Sequence, residues 1–315
     1  MTSPMRPLIS VAILTWNRCH HVIKAIQSVL AQTYPNVEIV VVDSASSDDT
    51  VATILAKFPS VKVVRLHRNL GCPGGRNVAL ANCRGEFIFA LDDDGWLAPN
   101  TLEICIDRFM KQPTVGVVCC RILPPGVAPM ADVPDRTHYT FSGGASAIRK
   151  TLLDRAGYYT ADYFRQGEET DLSLRIYDAG YTVLHCPDAV MYHEVSSINR
   201  HPELFLFYGC RNDLYTIVRR YPWPWILPGF VQKSISWIVL GLQRGAFIYT
   251  FAGICAAAVQ SPRLLFQRKP VSMRTMQTIF SLRWHARHHC REVVSGPNQE
   301  NSTSMAPEQP NHHAA

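Results

Sequence analysis

Phe87-Ile88-Phe89-Ala90-Leu91-Asp92-Asp93-Asp94 decides the reading of this chain, because an apolar run passes straight into three adjacent carboxylates. A short continuous apolar run bounded by turn residues predicts a strand buried on both faces. Neighbouring carboxylates repel one another, and a strand end that gathers three of them calls for a cation. Hard oxygen ligands of this kind suit Mg²⁺ or Mn²⁺, which also bridge a diphosphate. The competing reading is a solvated acidic turn that caps the helix after Pro99.

Strand and helix signals alternate on the N-terminal side of this stretch. Leu8–Leu14 predicts a first strand, followed by Val22, Ile23, Ile26, Val29 and Leu30 at helical spacing. Val37–Val42 predicts a second strand ending at Asp43, and Ser46-Ser47-Asp48-Asp49 offers N-cap residues for the next helix. Val61–Leu66 is the third strand, and Gly71-Cys72-Pro73-Gly74-Gly75 opens another helix. Further on, Phe141–Ile148, with Gly143 and Gly144, reads as a strand returning to the site, Gly167–Ala179 as a helix and Tyr181–Cys186 as a strand. The fold class is therefore α/β: a Rossmann-like, mostly parallel sheet with flanking helices. Ligands of such sheets bind beyond the carboxyl ends of the strands, which is where Asp43 and Asp92–Asp94 lie.

Taken in order, these pieces resemble family 2 glycosyltransferases, which are built on the nucleotide-sugar-binding GT-A fold. The pieces that carry the resemblance are Thr15-Trp16-Asn17-Arg18, Asp43-Ser44, Asn69-x-Gly71-x-x-Gly74-Gly75-Arg76-Asn77, Asp92-Asp93-Asp94 and Gly167-Glu168-Glu169-Thr170-Asp171. It covers roughly residues 8 to 220 and is nearest to the rhamnosyltransferase-like subgroup, whose members extend lipid-linked or cell-envelope glycans. The resemblance implies an inverting transfer from a nucleotide-diphosphate sugar, with dTDP-rhamnose the first donor to test, to a glycan or polyprenyl-linked acceptor.

The resemblance also implies roles. Thr15 and Asn17 sit beside base and ribose, with Arg18 in the same donor-binding segment and Asp43 accepting from a base N–H. Arg76 and Asn77 meet the diphosphate or sugar, where the neighbouring glycines allow close backbone approach. Asp92 contacts ribose or sugar, Asp94 binds the metal with Asp93 as an alternative ligand, and His193 is a further metal or diphosphate ligand. Glu169, beside Glu168, aligns with the general base, although the family pattern usually has Glu-Asp there. A catalytically inactive sugar-nucleotide-binding membrane protein and a nucleotidyltransferase are the alternatives. The second usually places a glycine-rich basic loop where Thr15-Trp16-Asn17-Arg18 stands.

Of the 315 residues, 47% are hydrophobic and 18% charged, which excludes wholesale disorder. The net charge of +6 is unevenly spread, with no Asp or Glu between Asp213 and Glu292 and eleven Lys and Arg in that stretch. A basic region with long apolar runs points to an anionic membrane rather than nucleic acid. The expected division is a catalytic domain over 1–221, a membrane-associated helical region over 222–291 and a disordered tail over 292–315. In the middle region, Gly229, Gln232, Lys233, Ser236, Gln243 and Arg244 collect on one side of a helix over Ile226–Leu242, which predicts an interfacial helix with that stripe toward water. Gly245–Pro262 is uncharged but only eighteen residues long. That is about 27 Å as a helix against a core of about 30 Å, so a shallow insertion is expected, or a helical hairpin packed on the catalytic domain. The apolar Leu8–Leu14 run is too short for a signal peptide, and with it come the expectations of free thiols and of a peripheral or monotopic protein on the cytoplasmic face of the membrane.

Overall fold

A computed structural model describes residues 6–130, 133–194 and 201–294, with side chains described through 286. The first part runs β1 (Ile9–Thr15), α1 (Cys19–Leu30), β2 (Val37–Asp43), α2 (Thr50–Lys57), β3 (Lys62–Arg65), α3 (Gly71–Asn82), β4 (Phe87–Asp92) and β5 (Gly95–Leu97). Then come α4 (Thr101–Lys111), β6 (Val115–Leu123), β7 (Arg136–Thr137), β8 (Ala145–Arg149), α5 (Lys150–Ala156), α6 (Glu168–Asp178) and β9 (Thr182–His193). Four helices close the described chain: α7 (Pro202–Arg220), α8 (Trp223–Gln243), α9 (Phe247–Phe266) and α10 (Met273–Val294). The tail expected over 292–315 lies, from 295 on, outside the described residues.

One sheet holds the strands in the order β3-β2-β1-β4-β8-β6-β9-β5, with β7 also paired to β9. β3, β2, β1 and β4 are parallel, as expected from their helical crossovers. Beyond β4 the sheet is mixed, because β8 returns through a loop and pairs antiparallel with both β4 and β6. Register fixes the rim: Thr15 lies opposite Asp43, and Leu14 opposite Asp92.

The apolar strands pack on both faces, as their composition requires. Ile9, Val11 and Ile13 of β1 meet Val22 and Ile26 of α1 and Phe109 of α4 on one face. Ala12, with Val42 and Ile88, meets Leu80 of α3 and Leu172 of α6 on the other. Each such side chain contributes about 1.5–3 kcal/mol on full burial. Asp48, from the expected capping run, accepts from the Thr50 backbone N–H at 3.1 Å and starts α2.

A third core joins the C-terminal helices to the sheet domain: Tyr163 and Leu174 pack with Leu214, Ala257, Met276 and Ile279. The Gly245–Pro262 segment is part of α9, which runs through Pro262 to Phe266 and buries Thr250, Gly253, Ala257 and Leu264. A Cβ on Gly253 would stand 2.8 Å from the Phe207 carbonyl oxygen, so α9 lies close along α7, the packing that the hairpin reading expects. The polar stripe of α8, in turn, is partly turned inward. Lys233 Nζ pairs with Asp213 of α7 at 2.9 Å, and Gly229 packs toward Tyr221 and Ile217. Among the described residues α8 is the helix long and apolar enough to cross a membrane.

Candidate active site

Their partners sort the three carboxylates. Asp92 ends β4, and Asp93 and Asp94 form the turn that leads into β5. One ligand atom each from Asp92, Asp94 and His193 lies within 4.8 Å of the others, a cluster fit for a metal ion. His193 reaches it because β9 pairs antiparallel with β5, setting His193 opposite Gly95, and its Nε2 is 2.8 Å from Asp94 Oδ1. Two carboxylates and an imidazole suit Mn²⁺ or Mg²⁺. Asp93, expected as an alternative ligand, is instead held by Thr15 Oγ1 at 2.9 Å and Arg18 Nη1 at 2.9 Å. Burial pushes its carboxyl up to about 6, while the Arg18 charge and the Thr15 hydroxyl act in the opposite direction. Arg18 also reaches Asp94 at 3.2 Å. Asp93 and Asp94 are both buried, so this rim is less open to solvent than an acidic turn suggests.

The donor-side residues from β1 and β2 form a brace. Asn17 takes the left-handed region at φ 52 and accepts from the Ser47 N–H at 2.8 Å, while its own N–H donates to Ser46 Oγ at 2.8 Å. Asp43 is fully buried, and its Oδ2 accepts from the Ser46 N–H at 3.1 Å. Its Oδ1 and the Ser44 hydroxyl are buried without a hydrogen-bond partner among the described residues. Buried polar atoms left unpaired cost about 1–3 kcal/mol, so such a pair is suited to a ligand.

Arg76 of α3 is the bridge. One guanidinium nitrogen lies 2.6 Å from Asp92 Oδ1, and the other 3.4 Å from Glu169 Oε1 and 3.9 Å from Glu168 Oε1. It thereby links the metal-side carboxylate to the candidate base. Burial and the Glu168 charge push Glu169 up to about 7, with Arg76 pulling it down. Glu168 Oε2 is buried and unpaired among the described residues. Gly143 and Gly144 make this closeness possible: a Cβ on Gly143 would stand 2.4 Å from Glu169 Oε1, and one on Gly144 2.0 Å from Asp92 Cγ.

Asn77 and the glycine loop make their closest contacts within the protein. Asn77 clasps the Tyr159 backbone, donating to its carbonyl at 2.8 Å and accepting from its N–H at 3.0 Å, and does not line the pocket. The glycine loop is the first turn of α3, and its close approaches are to protein. Cys72 N–H donates to the Phe164 carbonyl at 2.7 Å, and Gly71 has φ +74 with room for no Cβ beside that oxygen. Phe164 lies some ninety residues away, a partner that local sequence does not reveal.

Asn212 of α7 acts on the site from beneath. It is fully buried, and its Nδ2 donates to the carbonyls of Tyr163, Arg165 and Gln166 at 3.0, 2.7 and 2.7 Å. Those carbonyls belong to a loop where Phe164, Gln166 and Gly167 all have positive φ, directly before α6 and Glu169. Non-glycine residues held there cost about 1–3 kcal/mol each, so the loop needs a clamp. Asn212→Ala is expected to lower stability by about 1–3 kcal/mol through the carbonyls it strands, measured by urea unfolding.

Between these parts lies a cleft of about 400 Å³ lined by Thr15, Trp16, Arg18, Ser44, Arg76 and Asp92, with Phe164, Arg165, His201 and Leu204 on its other side. Comparison with known proteins fits that geometry. Residues 10–161 match the family model for glycosyl transferase family 2. Nearly half of the chain is thus similar to that family's model. It is similar to the chondroitin synthase of Escherichia coli, 32% identical over 36% of this chain and 17% of that one. A succinoglycan biosynthesis protein of Rhizobium meliloti is 37% identical over 32% of this chain and 30% of its own. The chain thus spans less than a third of either relative's length. Among solved structures, Staphylococcus aureus TarS with UDP is 25% identical at a TM-score of 0.53, covering 67% of this chain and 65% of that one. A Pyrobaculum calidifontis mannosyltransferase with GDP-Man and Mn²⁺ shares the fold at a TM-score of 0.56 and 20% identity, over 92% of this chain and 81% of that one. The fold is GT-A, α/β with helices flanking a central sheet.

Proposed function

We propose that the protein is an inverting glycosyltransferase that moves a sugar from a nucleotide-diphosphate donor to a hydroxyl of a glycan or polyprenyl-linked acceptor. The observation that carries this reading is the Asp92, Asp94 and His193 cluster on one side of Arg76, with Glu169 on the other. A divalent cation held by the cluster supplies charge that offsets the departing diphosphate. Ser44 and Asp43 offer unpaired acceptors for the base and ribose, and Thr15, Asn17 and Arg18 fix the loop that carries them. Glu169, as carboxylate, takes the acceptor O–H proton while that oxygen bonds to the anomeric carbon. The bond from the anomeric carbon to the diphosphate oxygen breaks at the same time, and the nucleoside diphosphate leaves with the electron pair.

The setting we infer is the cytoplasmic face of a membrane, on the strength of the basic, apolar helices that follow the catalytic part. Two relatives support cell-envelope glycan work by their descriptions, namely succinoglycan biosynthesis and putative colanic acid biosynthesis glycosyl transfer. Titration with a panel of dTDP-rhamnose, UDP-GlcNAc and GDP-mannose in the presence of Mn²⁺ tests donor binding. Saturable binding of one of them is expected. Binding of none, or release of pyrophosphate from a nucleoside triphosphate and sugar phosphate, would replace this reading with a nucleotidyltransferase or an unrelated role.

A further inference from the structure

α8 shows the solvent an apolar stripe made of Leu227, Val231, Ile235, Val239 and Leu242, of which Leu227 is 73% exposed and Leu242 62%. α9 does the same with Ile248 and Val259, exposed by 70% and 76%. A contiguous apolar surface of this kind marks an interaction site. Its partner is indicated by charge. Arg244, Arg263, Lys269 and Arg274, in or directly beside these helices in sequence, stand exposed, with no acidic residue from 214 to 291.

The opposite side of α8 is tied down. Asp213 of α7 accepts from Trp237 Nε1 at 2.9 Å and pairs with Lys233 at 2.9 Å. A membrane-crossing helix has its whole circumference in lipid or protein at membrane depth, and crossing here would carry Asp213, and with it the charged α7, into hydrocarbon. An in-plane position keeps α7 in water and puts only the stripe in lipid. The apolar surface then continues toward the cleft. The Trp237 ring lies 6.4 Å from that of Phe205, Arg244 sits 5.8 Å above Phe205, and the neighbouring Leu204 lines the cleft mouth.

We propose that the outer faces of α8 and α9 rest in the headgroup–acyl boundary of an anionic phospholipid bilayer, with Phe205 and Leu204 bringing the cleft mouth to the same surface. Resting on the transferase reading, this makes the acceptor one presented from the membrane on a lipid, within reach of Glu169. The test reads docking without turnover, so it can fail independently of that reading. Full-length protein is floated with phosphatidylcholine vesicles with and without phosphatidylglycerol, and bound protein is then treated with alkaline carbonate. Binding that needs phosphatidylglycerol, weakens with salt and is released by carbonate is the expected result. Joint Val231→Gln, Ile235→Gln and Val239→Gln substitution should weaken vesicle binding about tenfold or more. Donor binding in solution should be unchanged, since none of the three lines the cleft. In a Cys255→Ser background, an environment-sensitive dye at Phe205→Cys should shift to the blue on vesicle addition, whereas one at Leu30→Cys, on α1, should not. Three results would overturn the proposal: no flotation with anionic vesicles, resistance to carbonate, or a stable dimer whose interface covers the stripe.

Discussion

Asp94→Asn is expected to reduce sugar transfer by about 10³-fold, the loss that follows when several kcal/mol of charge stabilisation at the leaving diphosphate are removed. Asn keeps the shape and an acceptor oxygen for Arg18, with its NH2 toward His193, but removes the charge that makes the cluster a cation site. It is preferable to Ala because Asp94 is buried and paired, so truncation would also cost stability. Asp93→Asn separates the two carboxylates. Asp93 lies against Thr15 and Arg18, outside the cluster, so its loss should chiefly weaken donor binding while the Mn²⁺ concentration for half-maximal rate stays the same. If Asp93→Asn abolishes metal dependence and Asp94→Asn does not, the division of labour drawn from these contacts is wrong.

Glu169→Gln is expected to lower kcat by about 10²–10⁴ with donor affinity nearly unchanged, because the amide keeps the shape and cannot take a proton. The pH profile carries the same information. Glu169 acts as the carboxylate, and burial beside Glu168 raises it to about 7, so the rate should climb as pH rises through about 7. Below that, kcat should drop by about tenfold per unit in the limiting region. The acid limb should vanish in Glu169→Gln. Loss of the limb in Glu168→Gln instead would move the base to the neighbouring residue, whose buried Oε2 has no partner among the described residues.

How far the sequence could be read depends on where each partner lies. The apolar strand before Asp92, the Asp43 strand end and the register that aligns them follow from local patterns, and Thr15 opposite Asp43 is their direct product. Which of the three carboxylates join the cluster is set by the turn between β4 and β5 and by contacts from Arg18 and His193, not by strand alternation. What was not legible depends on distant contacts. The glycines beside Arg76 read as allowing close backbone approach, but their pattern does not reveal that Gly71 and Cys72 meet the Phe164 carbonyl, in a loop held by Asn212 on a helix still further along. Likewise, helical periodicity finds the polar stripe on α8, whose Gln232, Ser236, Gln243 and Arg244 are exposed, but not the turn of Lys233 toward α7. That is set by Asp213, the last acidic residue before the basic stretch, which draws Lys233 and Trp237 onto α7 and leaves the apolar side outward. The family resemblance assigns Arg76 to the donor, and the ion pairs by which it spans Asp92 and Glu169 at the cleft wall come from residues far from it in sequence.

The most direct test of the central claim is nucleoside diphosphate release from the donor that binds in the panel, followed in Mn²⁺, after EDTA, and after Mn²⁺ is restored. Metal-dependent transfer through Asp92, Asp94 and His193 predicts release in Mn²⁺, its loss in EDTA and its return on adding the ion back, with Asp94→Asn flat throughout. Release that continues undiminished in EDTA, or that Asp94→Asn leaves intact, would contradict it.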